Sequence, residues 1–347
     1  MTRDAWYCAG WSAELAGGPI GRKLLGRHLV LFRDANGSAH ALGARCPHRG
    51  ADLSQGSVVD GCIQCPFHGW RFDGSGCCVR APSQPENLKI SNLARVPSFP
   101  LQERQGTLWI WSGAAEPQSK EPPDGSVESP GRPIRRVFFD AQLVDAPFLS
   151  VLENFFDKAH LPFIHTRTFG ADQDPLVARQ RITLDPNGRS LRAEDDDSAW
   201  HVEPKQPKGF VGWVGRLLFG LQRPVAQHMR FDVDAGGQIY IEYPNGTFDL
   251  FNAHLTPADA DHTWLFVESV RTRAPHTFGD WIQRRAINRI FEEGKRETSL
   301  LLGPDDDAPR QVSVESDRLG LAARHLYERW VRGAGAETRD LDVAANL

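Results

Sequence analysis

Cys46-Pro47-His48-Arg49-Gly50 and, with sixteen residues between His48 and Cys65, Cys65-Pro66-Phe67-His68-Gly69-Trp70-Arg71-Phe72 decide how this chain reads. Each half is a tight loop that presents one thiolate and one imidazole in the same direction. Two such loops face to face suit a 2Fe–2S cluster, with Cys46 and Cys65 on one iron and His48 and His68 on the other. Neutral imidazole in place of thiolate raises the potential of such a cluster above that of an all-Cys one. Two Cys and two His also suit a structural zinc ion. Zinc ribbons and fingers usually pair Cys with Cys and His with His, whereas each half here is mixed.

Around these loops, residues 1–115 are rich in Gly, Trp and short apolar runs such as Leu29-Val30-Leu31-Phe32 and Leu108-Trp109-Ile110-Trp111. The runs are too short for helices and are bounded by turn residues such as Asp34-Ala35-Asn36-Gly37, so they predict a small all-β domain. Residues 116–133, with their prolines, Gly, Ser and acidic residues, predict a linker. Residues 134–347 alternate between helix and strand. Helical spacing covers 148–160, and Asp185-Pro186-Asn187-Gly188 joins two strands as a hairpin. Further strands hold Met229, Phe231 and Val233, then Ile239, Ile241 and Tyr243, then 263–267. A long helix over 279–302 carries Trp281, Ile282, Ala286, Ile287, Ile290 and Phe291 on one side. An amphipathic helix over 317–332 follows. The class is α+β, with an antiparallel sheet and long helices.

The chain has 347 residues and a net charge of −4, which argues against a general nucleic-acid binder. No stretch approaches the roughly 20 apolar residues of a membrane helix. The N-terminal stretch lacks the apolar core of a signal peptide, and a cytoplasmic location is expected. There the six cysteines stay reduced, and Cys8, Cys62, Cys77 and Cys78 are expected as unpaired or buried thiols.

A second constellation lies in Glu153-Asn154-Phe155-Phe156-Asp157-Lys158-Ala159-His160-Leu161-Pro162-Phe163-Ile164-His165. Two His five apart sit on poorly matched faces of a regular helix. Pro162 distorts or ends the helix and brings both imidazoles to one point. Asp157, one turn before His160, is placed to hydrogen-bond its far ring nitrogen.

The two Cys/His loops resemble those of the Rieske non-heme iron oxygenases, Cys-Pro-His-Arg-Gly and Cys-Pro-Tyr/Phe-His-Gly-Trp-x-Phe. They lack the extra Cys pair of respiratory Rieske proteins. The second stretch resembles the family's D-x2-H-x4-H motif preceded by Glu-Asn. The resemblance covers most of the chain and is closest to the vanillate and dicamba O-demethylase group. It implies an N-terminal Rieske 2Fe–2S domain and a C-terminal helix-grip (START-like) catalytic domain. It further implies a mononuclear Fe(II) on His160 and His165, with Asn154 nearby. Asp157 would join His160 to the cluster ligand His68 of a neighbouring subunit, so a homotrimer is implied. Electrons would come from NAD(P)H through a ferredoxin or flavin reductase. The reaction would be O2-dependent demethylation or hydroxylation of a small, aromatic substrate. Ring cis-dihydroxylation is the alternative.

One position breaks the pattern. The family's third iron ligand is a carboxylate in a stretch resembling Phe-x-Glu-Asp. Here Phe291-Glu292-Glu293-Gly294 puts Gly at the Asp position, on the inward side of the helix by its spacing from Ile287, Ile290 and Phe291. Gly inside a helix costs about 1 kcal/mol relative to Ala. Three readings follow. Glu293, or Glu297 three positions past Gly294, supplies the ligand. Alternatively, water, chloride or substrate fills the position. Or the chain is an altered, poorly active oxygenase; the non-enzyme alternative is an electron-transfer or binding protein that keeps its cluster and has lost O2 chemistry. Glu293 is the favoured ligand.

Several other features divide between two readings. Arg45, Arg49, Arg71 and Arg80 form either a basic rim for an acidic electron donor or a solvated surface. The apolar, Gly-punctuated stretch 210–221 is either a pocket lid or core. Asn245, His254 and His262 are candidate pocket residues, while His201, His228 and His325 are expected to be structural.

Overall fold

The computed structural model describes residues 4–113, 117, 121–127, 129, 131–168, 175–177, 179–186, 188–195, 226–233, 236–298 and 312–332. The chain forms two units, Met1–Ser126 with Thr256–Trp264, and Val127–Leu255 with Leu265–Leu347. The apolar stretch 210–221 and His201 lie outside the described residues.

Short strands build the first unit: β1 (Trp6–Trp11), β2 (Ile20–Leu24), β3 (Arg27–Arg33), β4 (Ala39–Gly43), β5 (Ser57–Val59), β6 (Cys62–Gln64), β7 (Arg71–Phe72), β8 (Cys78–Arg80), β9 (Ser98–Phe99), β10 (Leu101–Arg104) and β11 (Thr107–Trp111). They make antiparallel sheets ordered β1-β11-β10, β2-β3-β4-β9 and β5-β6-β7-β8. The runs are continuously apolar because both faces of these strands are covered. Every residue of β1 and of β11 is buried, as are Leu29 through Phe32 in β3. One core joins Val30, Phe32, Leu42, Leu53, Ile63 and Phe72 to Cys46 and Cys65, so the two cysteines are rooted in packed hydrocarbon.

Residues 256–264 complete this unit. The N–H groups of Leu25 and Gly26 donate to the carbonyls of Pro257 and Ala258, both at 2.8 Å. Thr256 Oγ1 donates to the Cys8 carbonyl at 2.7 Å, and Lys23 Nζ lies 2.6 Å from Asp259 Oδ2. His262 Nδ1 is 2.8 Å from Asp259 Oδ1, so this residue belongs to a turn. Asn245 also serves a turn, its Oδ1 accepting from Thr247 N–H at 3.0 Å.

The second unit holds β12 (Arg135–Phe138), β13 (Gln142–Val144), β14 (Gln180–Leu184), β15 (Ser190–Asp195), β16 (Ala226–Asp232), β17 (Gly236–Glu242), β18 (Phe248–Pro257) and β19 (Thr263–Arg271). Among the described residues they make one sheet, β12-β19-β18-β17-β16-β15-β14, with β13 beside β19. The helices described beside it are α1 (Phe148–Phe156), α2 (Leu161–Ile164), α3 (Thr277–Thr298) and α4 (Arg318–Arg332). Phe155 of α1 and Ile287 and Phe291 of α3 pack on Val137, Phe139, Ala253 and Val267 of the sheet. Asp280 fixes the first turn of α3, accepting from Arg135 Nε at 2.9 Å and Arg271 Nη2 at 2.5 Å. Gln283 adds a bond of 2.8 Å from Ser269 Oγ.

Two local expectations change. Trp281 and Ala286 are exposed rather than part of the packed row on α3; Trp281 stacks instead on Phe278, with centroids 5.9 Å apart. The helix starting at Phe148 ends at Phe156, because Asp157 takes an extended backbone (φ −78°, ψ 120°). Pro162 then falls in the first turn of the separate helix α2, where its missing N–H costs nothing.

Candidate active site: two histidine centres

The two cluster loops repeat one backbone design. Cys46 N–H donates to the Ala51 carbonyl at 2.9 Å, and Gly50 N–H returns to the Cys46 carbonyl at 2.9 Å. Cys65 N–H donates to the Trp70 carbonyl at 2.8 Å, and Gly69 N–H returns to the Cys65 carbonyl at 3.1 Å. Each loop closes through a glycine with positive φ, Gly50 at 77° and Gly69 at 69°, a conformation that costs other residues about 1–2 kcal/mol. The second loop is the tip of the β6–β7 hairpin. The first follows β4 and is held by the Arg45–Asp52 bridge.

These loops bring Cys46, His48, Cys65 and His68 together. The His48 and His68 rings lie 4.6 Å apart, and Trp70 stacks flat on His48 at 4.7 Å with a 2° interplanar angle. Burial, with Cys65 beside it, pushes the Cys46 thiol up to about 11. Burial, with His68 and Arg49 adding to it, lowers the pKa of His48 and keeps its ring neutral. A coordinated metal reverses the thiol's preference outright. His48 Nδ1 is buried and has no hydrogen-bond partner, as expected for a nitrogen that serves as a ligand. A cluster divides the four residues between two irons, and this donor set fits it.

Around the loops the arginines are partly spoken for. Arg71 pairs with Asp60 and Arg80 with Glu86, each at 2.6 Å, which reduces the net charge of any rim. Cys8, Cys62, Cys77 and Cys78 are not in disulfides, and Cys8 is buried.

The second centre is built on α2, which carries one histidine at each end. His160 is its N-terminal flanking residue and His165 its C-terminal one, so a helix of four residues sets their ring centroids 5.3 Å apart. Each ring is held at Nδ1 by a carboxylate: His160 by Asp157 Oδ2 and His165 by Glu293 Oε2, both at 3.3 Å. An Nδ1 proton donated to a carboxylate makes Nε2 the metal-binding nitrogen. Burial raises the pKa of the Asp157 carboxyl, but hydrogen bonds from His160 and from Ala159 N–H outweigh it and hold it below the usual range. Burial and the neighbouring His160 keep His165 neutral despite Glu293.

Glu293 is itself buried. Besides His165, its carboxylate accepts from Arg167 N–H at 2.8 Å and from Thr168 Oγ1 at 2.5 Å. Burying a carboxylate costs several kcal/mol. Three hydrogen bonds to a charged acceptor, each worth about 1.5–3 kcal/mol, offset that cost. Thr168 and the Arg167 amide carry no advance signal in the sequence. Asn154 lies in the last turn of α1, its carbonyl accepting from Asp157 N–H at 3.2 Å. The side chain of Glu297 lies outside the described residues. Among the described residues no third His, Cys, Asp or Glu side chain joins His160 and His165 in one group.

Two family descriptions match the chain: a Rieske [2Fe-2S] domain over residues 5–100 and a vanillate O-demethylase oxygenase C-terminal domain over residues 144–333. The chain belongs to the Rieske oxygenase family. The cofactors of this family are the 2Fe–2S cluster and a mononuclear iron, supplied with electrons by a reductase partner. Among related Rieske proteins, the chain is 31% identical to protein TIC 55, chloroplastic, of Pisum sativum, over 79% of this chain and 47% of that one. It is 35% identical to the oxygenase component of dicamba O-demethylase of Stenotrophomonas maltophilia, over 55% of this chain and 56% of that one. It therefore spans about half the length of these relatives. The solved structure of Pseudomonas putida CBB5 NdmA with caffeine superposes with a TM-score of 0.71 and 26% identity, over 94% of this chain and 89% of that one. Among the described residues no helix is long and apolar enough to cross a membrane.

Proposed function

We propose that this chain is the oxygenase component of a multicomponent Rieske monooxygenase that demethylates or hydroxylates a small aromatic substrate. One observation carries the reading: His160 and His165 flank a single short helix, and a carboxylate grips each Nδ1. In this reading Cys46 and Cys65 hold one iron of the cluster, His48 and His68 hold the other, and His160 and His165 hold the mononuclear iron. When bound, these groups supply electron transfer and O2 activation. Asp157 orients His160 and joins it to His68 of the partner subunit, which makes the assembly a homotrimer. Glu293 orients His165 through its bond to Nδ1, while Arg167 N–H and Thr168 Oγ1 hold its carboxylate, and that role is better supported than direct ligation. Four cysteines outside the cluster, none in a disulfide, suit the reducing cytoplasm.

Gly294 supports a second reading, an electron-transfer or binding protein that keeps only its cluster. One reconstitution separates the two. The chain, NAD(P)H, a flavin reductase and a ferredoxin are mixed with a panel of O-methyl and N-methyl aromatics, and O2 uptake and formaldehyde are followed. About three irons per chain, with formaldehyde matching O2 consumed, are expected. A cis-diol product means ring dihydroxylation. About two irons per chain, with a reducible cluster and no O2 uptake, overturns the proposal.

A further inference from the structure

Gly294 lies inside the continuous helix α3, in the turn whose Glu293 reaches His165. Its neighbour Glu293 is committed to His165, Arg167 and Thr168. Helical spacing puts Gly294 in the row of Ile287 and Phe291, the two side chains that α3 packs on the sheet. A Cβ built on Gly294 meets nothing within 4 Å among the described residues, so no steric demand explains the glycine. Two neutral imidazoles leave the full double charge of a divalent ion uncompensated by any ligand. Asp157 and Glu293 stand one bond further out, behind the rings.

Charge and space at this turn lead to one conclusion, which rests on the iron-site reading above. We propose that Gly294 leaves one coordination position of the His160–His165 metal site to a small exogenous monoanion, a halide or a carboxylate. Glu293 is then a positioning residue for His165. This chain has replaced a built-in carboxylate by an exchangeable one, and metal binding is coupled to anion binding.

Co(II) is the probe, since its visible bands report ligand number and its binding needs no turnover. The chain, with its cluster intact, is titrated with Co(II) in buffer free of chloride and carboxylates, then with chloride or formate added. The expected result is a gain in Co(II) affinity of roughly tenfold or more with either anion, the size of change that outer partners alone produce, together with a shift of the visible bands. Chloride and formate arms tell a halide position from an oxygen-donor one. Gly294→Asp is expected to bind Co(II) tightly without added anion and to lose the anion response. Glu293→Gln is expected to keep the anion response while binding Co(II) more weakly. If neither anion changes affinity or spectrum, and Glu293→Gln abolishes binding, Glu293 is a ligand and the proposal falls. If the intact chain binds no Co(II) under any condition, or His160→Ala and His165→Ala bind it as well as the intact chain does, the iron-site reading falls with it.

Discussion

The two histidine centres are assembled in opposite ways. In the cluster, ligands and scaffold come from the same short loops, and each loop closes on itself through its own cysteine's N–H and carbonyl. In the proposed iron centre the histidines are local, but the carboxylate behind His165 arrives from 128 positions away along α3. A self-closed loop is correct whenever its own residues are correct. A centre fed by a distant helix is only as good as the seat of that helix, and it is the centre at which the proposed ligand set places Gly294.

The largest expected effect lies in the cluster. Cys65→Ser removes a donor that no distant residue replaces. The cluster's iron, sulfide and Rieske EPR signal should all be lost, while Co(II) binding at His160 and His165 persists. If both metals disappear together, the two centres are not independent and the contrast fails. Glu293→Ala should act in reverse. The EPR signal should be intact, and metal affinity at the second centre should fall about 10–100-fold, as when other outer carboxylates behind a ligand histidine are removed. Equilibrium dialysis with Co(II) measures it.

This asymmetry also explains what the sequence made legible. The two loops and their Rieske pattern could be read from sequence, because residue type, spacing and both turn glycines lie within residues 46–72. The histidine pair and Asp157 were legible for the same reason. Glu293 could be named as a candidate, but not its partners, since Thr168 and the Arg167 amide acquire meaning only once α3 lies against α2. Periodicity along α3 misplaced Trp281 and Ala286, because amphipathic spacing records which residues are apolar and not where a sheet ends beneath them. Likewise nothing in composition tied residues 256–264 to the first unit, since they do so through backbone carbonyls.

Asp280 tests the seat of α3. Burial raises the pKa of its carboxyl, but Arg135 and Arg271 outweigh burial and hold it below 3.8. A lowered folded-state pKa means that this stabilisation is complete above 3.8 and is lost as pH falls through the folded value. Asp280→Asn should cost about 2 kcal/mol near neutral pH, the worth of charged hydrogen bonds to a largely buried group. The gap in Tm between the variant and the parent should close below pH 4 or so. If α3 feeds the iron centre, acid should release Co(II) before it bleaches the cluster.

The smallest effect is the most discriminating for Gly294. Ala at this position gains helix propensity of about 1 kcal/mol, less any cost of a new contact. No described atom lies within 4 Å of the added Cβ, so that cost is absent. Gly294→Ala should therefore stabilise the chain by about 0.5–1 kcal/mol in urea unfolding, with the cluster untouched. A destabilised variant means that the glycine serves packing, and its departure from the family pattern then needs no chemical cause. A stabilised variant whose Co(II) site responds less to chloride or formate means the opposite. The chain then carries a helix-weakening residue because the space it opens is used by a ligand.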